Sequence, residues 1–237
     1  MSTDTVHYKL DHGIASITLD DGKRNALSPE MLAAIYRALE QAERDQAIVV
    51  LSGREDVFSA GFDLKVMQRG GMRAIGMLRS GYALTARVLK YPRPIIVACN
   101  GHSLAMGVFL MLSADTVIGS RGDFKISANE VAIGMTMPRV AAAMLRHRLV
   151  PAAYQRAVTL AEYFDPESAL KAGFFDELVD PDALMARAEA LASDAAKLDQ
   201  RAHTVSKRRI RKALVRKLHL SAPLDLLDAA LIGLRRQ

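Results

Sequence analysis

Tryptophan is absent from this chain of 237 residues, and its ring side chains are limited to 7 Phe and 6 Tyr. A base-stacking platform for single-stranded nucleic acid asks for more than that. Cysteine occurs once, as Cys99, which excludes an intrachain disulfide framework and a cysteine metal cluster. At the end of an apolar run, that thiol reads as a small core hydrophobe. The apolar runs are short and interrupted, too short to span a bilayer, and the N-terminal MSTDTVHYKLDHG lacks the basic, apolar and small-residue order of a secretory signal. A soluble, cytoplasmic protein without membrane attachment is therefore expected. Neither a glycine-rich dinucleotide fingerprint nor a Gly-Lys-Ser/Thr phosphate loop occurs, and the 6 histidines are scattered without a pair at ligand spacing. No metal is expected.

What the chain has in quantity is apolar side chain, 50% of its residues, enough for a sizeable core. With no internal repeat and no low-complexity linker, residues 1–237 read as one domain, strands in the first half and helices in the second. Its 32 Lys and Arg exceed its 26 Asp and Glu, for a net charge of +6. Such an excess attracts anionic partners, whether nucleic acid, phosphorylated cofactor or acidic surface, without choosing among them.

Residues 6–19, VHYKLDHGIASITL, alternate on either side of Asp11-His12-Gly13 and predict a β-hairpin. A loop over 20–25 follows. Ser28-Pro29 supplies a cap and a first-turn proline for a helix whose apolar face is Met31, Leu32, Ile35, Tyr36 and Leu39. Ala47–Leu51 reads as a buried strand. Phe58–Lys65 combines small residues, which let a ligand approach the backbone, with the start of a helix capped by Asp63. Gly70-Gly71 breaks that helix before a longer one over 72–89. Further strands are expected at 116–118 and 123–126, then a polar bend at Ser127–Glu130. From Arg139 the pattern is helical almost to the end, broken near Pro151, Pro166, Gly173, Pro181 and Pro223.

Pro94–Asp115, PIIVACNGHSLAMGVFLMLSAD, joins a β-branched strand at 95–98 to an apolar helix over 104–112 through a turn at Asn100–Ser103. Free N–H groups at the start of that helix, near Ala105, Met106 and Gly107, favour negative charge. Two chemistries fit: a backbone oxyanion hole, or a nucleophilic Ser103. Gly101-His102-Ser103-Leu104-Ala105 is close to the Gly-x-Ser-x-Gly elbow of serine esterases. Asp165, Asp176, His203 and His219 stand in no distinctive context as triad partners, so Ser103 reads first as a turn serine bonding to nearby backbone. His102 reads as a histidine satisfying local hydrogen bonds.

Three stretches taken together, Phe58–Lys65 (FSAGFDLK), Asn100–Gly107 (NGHSLAMG) and Asn129–Gly134 (NEVAIG), resemble the crotonase superfamily of enoyl-CoA hydratases and isomerases. Arg24–Ser28 upstream and Ala169–Val179 downstream extend the resemblance over about residues 6–218. It implies an α/β fold, a spiral of β-β-α units forming two sheets over 1–180, with a helical region over 181–237 that builds a homotrimer or dimer of trimers. The substrate implied is an acyl-CoA thioester, so coenzyme A belongs to the substrate and no separate cofactor is required. By position, the N–H groups of Phe62 and Met106 would hold the thioester oxygen as it becomes an enolate, an interaction typically worth on the order of 10²–10³ in rate. Lys23, Arg24, Ala60, Asp63, Leu64 and Lys65 would border the CoA moiety, and Phe109 the acyl pocket.

Hydratases of this superfamily carry two glutamates, and this chain keeps one. The first position holds Phe109, the second Glu130, preceded by Asn129 where proline is usual. Hydration needs one group to activate water and one to deliver a proton, whereas shifting a double bond needs a single base. The resemblance therefore favours Δ3-Δ2-enoyl-CoA isomerisation by Glu130 over hydration, with burial expected to raise the pKa of that carboxyl.

Arg201–Lys217 holds eight Lys or Arg and no acid, with Ile210, Leu214 and Leu218 at helical spacing. Three readings apply: a solvated face of a packed helix, positive potential for CoA phosphates, or an RNA or anionic-surface module. No base-reading residues accompany the run, which places the nucleic-acid reading last.

Overall fold

The computed structural model describes residues 5–235; the expected domain bounds, 1 and 237, lie outside them. β1 (Val6–Asp11) and β2 (Ile14–Leu19) pair antiparallel. His12 and Gly13 both take positive φ, 45° and 79°, the backbone that a two-residue hairpin with right-handed twist requires. β2 alternates, with Ala15, Ile17 and Leu19 buried.

From β2 the chain winds as a spiral. Each turn adds one strand to a six-stranded sheet, in the order β1, β2, β4 (Ile48–Ser52), β7 (Ile95–Cys99), β9 (Thr116–Ser120), β11 (Glu177–Val179), parallel from β2 onward. β4 and β7 are buried along their whole length. Val49, Leu51, Ile95 and Val97 face the main core, while Ile48, Val50, Ile96 and Ala98 face Leu184, Ala188 and Ala192 of α8 (Leu184–Ala196). A strand covered on both faces has no polar side, which explains the unbroken apolar runs.

The opposite side of the spiral carries short parallel strands. β5 (Val57–Ser59), β8 (His102–Leu104) and β10 (Ile126–Ser127) form one sheet, and β3 (Ala26–Leu27) pairs with β6 (Gly61–Phe62). The expected second sheet is thus divided in two. The turn expected at Asn100–Ser103 is also corrected: His102 and Ser103 belong to β8, because the Ser103 and Ala105 N–H groups donate to Lys125 and Ser127 carbonyls. Three residues are too few to show a period of two. For the same reason the strand expected at 123–126 shrinks to β10, and β11 goes unanticipated inside the helical half.

Helices fill the space between. α1 (Pro29–Arg44) starts as expected, with the Met31 N–H donating to Ser28 Oγ at 3.1 Å. α2 (Leu64–Arg69), α3 (Gly71–Lys90) and α4 (Met106–Leu112) follow, and every residue of α4 is buried. α5 (Arg139–Arg148), α6 (Pro151–Thr159) and α7 (Pro166–Ala172) precede β11. α9 (Gln200–Arg235) packs across α3 and α5, with Pro223 inside it. The break expected there does not occur. Proline removes only the bond to the His219 carbonyl, and buried Leu218 and Asp225 anchor the helix on both sides.

The face α9 presents inward also corrects the sequence reading. Ile210 is 74% exposed, whereas Lys207, Arg211, Leu214, Leu218, Ser221 and Asp225 are buried, at heptad-like spacing. Lys207 Nζ lies 2.5 Å from Asp115 Oδ2, and Arg211 donates to Asp115 and to the carbonyls of Leu89, Ser113 and Ala114 at the ends of α3 and α4. Two of the eight basic residues are therefore buried structural cations: the Arg211 guanidinium complements the carbonyl ends of α3 and α4, and the Lys207 ammonium donates to Asp115 and the Arg93 carbonyl. Burial draws Lys207 down to about 8 against the opposing pull of Asp115. Among the described residues no helix is long and apolar enough to cross a membrane.

Candidate active site

The site grows from close backbone approach. Gly61 has φ +86°, and a Cβ there would lie 2.9 Å from the Leu104 carbonyl oxygen and 3.3 Å from the Met106 nitrogen. Only glycine suits both the left-handed backbone and the contact. At Gly107 a Cβ would meet the Ser59 carbonyl at 2.7 Å. The Ser59–Phe62 segment and the start of α4 are thus pressed together, carrying the Phe62 and Met106 peptides with them.

Ala105 completes the bend at φ 47°, ψ −122°, a conformation that costs a non-glycine residue on the order of 1–3 kcal/mol. Its N–H donates to Ser127 at 2.8 Å and its carbonyl accepts from Val108 at 2.9 Å, which hold it there. Met106 is the first residue of α4 and its N–H has no intrahelical acceptor. The Phe62 ring and Met106 Cε both pack against Gly81 of α3, where a Cβ would come within 2.4 Å of the ring. Phe109, one turn into α4, is 2% exposed.

The β8–β10 pairing sets Ser127 beside Leu104, so the segment that follows Ser127 leaves next to the bend. Glu130, expected in a polar bend, is instead 5% exposed and heads the 3-10 turn Val131–Ile133. Its carbonyl accepts from Met135 N–H at 2.9 Å, while its Oε2 is buried without a hydrogen-bond partner. Burial raises this carboxyl to about 7, opposed by a hydrogen bond from its own backbone N–H. Asn129 Oδ1, alongside, is also buried and unpartnered. A buried carboxyl that titrates near neutrality is equipped to take a proton and return it.

The residues expected to border CoA gather on one edge. The Ala60 N–H donates to the Arg24 carbonyl at 3.0 Å, and β3 lies parallel to β6, so the Lys23-Arg24 loop sits against Ala60. Asp63 Oδ1 accepts from the Lys65 and Val66 N–H groups, the expected cap of α2, which leaves Leu64 and Lys65 exposed. Asn25 pins this edge and was not singled out from sequence. Buried at φ 51°, it donates to the Leu19 and Phe58 carbonyls and accepts from Asp21 N–H, and its own carbonyl accepts from Ser59 Oγ at 2.8 Å. Positive φ in an asparagine is a turn signal, but its long-range partners are visible only in three dimensions. Tyr82 of α3 is the other omission: burial, then the Asp225 and Glu130 carboxylates, push its phenol up, which sets it beside the site.

The alternative nucleophile is not assembled. Ser103 is fully buried in β8 and its Oγ has no partner, so neither a catalytic histidine nor the expected backbone bond is there. Asp165 caps α7 through Ser168 N–H, and Asp176 accepts from Val117 N–H and Arg148. His102 Nδ1 accepts from Lys125 N–H at 3.0 Å, a local bond as expected. Among the described residues no three His, Cys, Asp or Glu side chains group as a metal site.

A relative from Thermus thermophilus, described as a putative enoyl-CoA hydratase, is 32% identical over 191 residues, 78% of this chain and 75% of its own. The solved structure of an enoyl-CoA hydratase/isomerase family protein from Pseudomonas syringae superposes with a TM-score of 0.93 at 45% identity, covering 94% of this chain and 97% of that one. Human mitochondrial Δ3-Δ2-enoyl-CoA isomerase superposes with a TM-score of 0.90 at 26% identity, covering 96% and 91%. The family model for enoyl-CoA hydratase/isomerase matches residues 9–226. With the spiral fold, the paired backbone bends and a sequence match over nearly its whole length, this chain belongs to the enoyl-CoA hydratase/isomerase family.

Proposed function

We propose that the protein is a Δ3-Δ2-enoyl-CoA isomerase in which Glu130 is the single acid–base group. Its carboxylate takes a proton from C2 of a 3-enoyl-CoA, the thioester oxygen becomes an enolate held by the Phe62 and Met106 N–H groups, and the same proton returns to C4. Glu130 is regenerated, the double bond has moved from C3 to C2, and no water is consumed. The supporting observation is the solitude of Glu130: it is withdrawn from water, and an unreactive phenylalanine at 109 occupies the position of a second acid. Lys23, Arg24 and Lys65 offer positive charge to the CoA phosphates, Ala60, Asp63 and Leu64 line its approach, and Phe109 bounds the acyl group. The substrate carries the coenzyme A, and no further cofactor enters the chemistry.

Hydration is the second reading, supported by the description of the Thermus relative. Assaying 3-hexenoyl-CoA conversion beside 2-hexenoyl-CoA hydration separates the two. Isomerisation without comparable hydration is expected, and rapid hydration by the wild type would transfer the assignment to a hydratase.

The region after 181 is proposed to build a trimer. Leu220, Leu224, Leu227 and Leu231 stand exposed on α9 at a spacing of four, three and four residues, an apolar stripe suited to a partner subunit. Leu224→Asp is expected to reduce the mass measured by light scattering from three chains to one, and a wild type that runs as a monomer would remove the assignment.

A further inference from the structure

A cavity of about 580 Å³ opens on the far side of α3, between α1, α3 and α9, within the size range of small-ligand sites. Phe62, Met106, Phe109 and Glu130 are not among its lining residues, so it opens apart from them, with Tyr82 the one wall it shares with the candidate active site. Its floor is apolar and includes Tyr82, Tyr91, Leu218, Ala222 and Leu226. The Tyr91 hydroxyl donates to the Ala47 carbonyl at 2.9 Å, which fixes its ring as a wall.

The rim has the opposite character. Arg79, Arg87, Lys90 and His219 border the cavity, and the lining carboxylate, Glu43, is already paired with Arg87 at 2.7 Å. Arg79 and Lys90 are exposed and form no ion pair among the described residues. Arg87 is held over the Tyr36 ring, 5.6 Å from its centroid, and its Nε is buried with no hydrogen-bond partner. An uncharged apolar guest would leave the exposed rim cations, Arg79 and Lys90, without a counter-charge. A nucleotide or bare phosphate would leave the floor unused.

We propose that this cavity is a second ligand site, for a medium-chain carboxylate. Its hydrocarbon lies on Tyr82, Leu218, Ala222 and Leu226, and its carboxylate meets Arg79 and Lys90 at the rim. Binding needs no turnover, so the site stands or falls independently of the isomerase assignment.

Titration calorimetry of the full chain with sodium decanoate, kept below micelle formation, tests it. One site per chain with a Kd of about tens of micromolar is expected. Arg79→Ala/Lys90→Ala, on exposed positions, should weaken binding at least tenfold, and so should Ala222→Trp, which fills the floor. Neutral decanol should bind at least tenfold more weakly than decanoate. The absence of heat up to 1 mM, or equal affinity in the arginine-lysine variant, overturns the proposal even if Ala222→Trp fails to fold. Displacement of decanoate by hexanoyl-CoA also overturns it, by returning the acid to the thioester site.

Discussion

Asp115 and Glu130 are both carboxyl groups drawn away from water, and the chain treats them in opposite ways. Asp115, at the seam between α9 and the core, accepts from the Ile95 N–H at 2.8 Å, from Lys207 and from Arg211. Glu130, beside the Ala105 bend, keeps one oxygen unpartnered and forms no ion pair among the described residues. A carboxylate surrounded by donors and cations holds structure together. One left with an open oxygen stays near neutrality and can trade a proton, at a cost to the fold. The difference separates the part of the molecule that maintains the shape from the part proposed to do chemistry.

Glu130→Gln should cut this contrast most sharply, with an expected loss of about 10³-fold or more in kcat and no fall in melting temperature at pH 8. Full turnover by that variant would remove Glu130 as the base. Asp115→Ala is expected to do the reverse. It strands two buried cations, for which about 3–5 kcal/mol of stability is at stake, readable as a lower urea midpoint with kcat per folded molecule nearly preserved. If the urea midpoint holds, the seam is not the anchor described above.

pH acts on the Glu130 side of the comparison. Glu130 has a folded value of about 7 against an ordinary 4.5, so its contribution to stability is whole below pH 4.5 and is lost as pH rises through about 7, roughly 3 kcal/mol in all. Catalysis by Glu130 as the proposed base runs the other way, because it must be ionised: kcat/KM should rise with pH to a plateau above about 7. A flat profile from pH 5 to 9 would contradict the raised value. Unfolding of Glu130→Gln should lack the wild-type stability change over the same window.

The smallest effect is expected at Asp225, where α9 meets the site from behind. Its carboxylate accepts from the Arg139 and Val140 N–H groups at 3.0 and 2.9 Å, capping α5 where Pro138 supplies no side-chain cap. Asp225→Ala should cost about 1–2 kcal/mol in thermal unfolding. It should leave the pH midpoint of kcat/KM in place, and a shifted midpoint would show that Asp225 belongs electrostatically to the Glu130 site.

Much of this arrangement is legible in the chain as written. Ser28-Pro29, Asp63 and Gly70-Gly71 mark helix boundaries that the structure keeps, because caps and breaks act through neighbouring backbone. β8, β10 and β11 escaped because strands of two or three residues owe their existence to partners in other turns of the spiral. The inward face of α9 was misread for a related reason. Lys207 and Arg211 look like solvent-facing charges until Asp115 and the carbonyl ends of α3 and α4 are set around them. Ser103, in a plausible elbow by spacing, lost that role once β5 and β10 flanked it.

By itself the sequence determined the family motifs, a glutamate at 130 with a phenylalanine at 109, and the local starts and stops of the helices. These depend on residue identity and short-range spacing. Only the tertiary structure decided that Glu130 is buried, that Gly61 and Gly107 let two backbone bends close together, and that a basic stretch ends in buried ion pairs. Desolvation and partner geometry are properties of packed surroundings, and those come from segments distant in the chain.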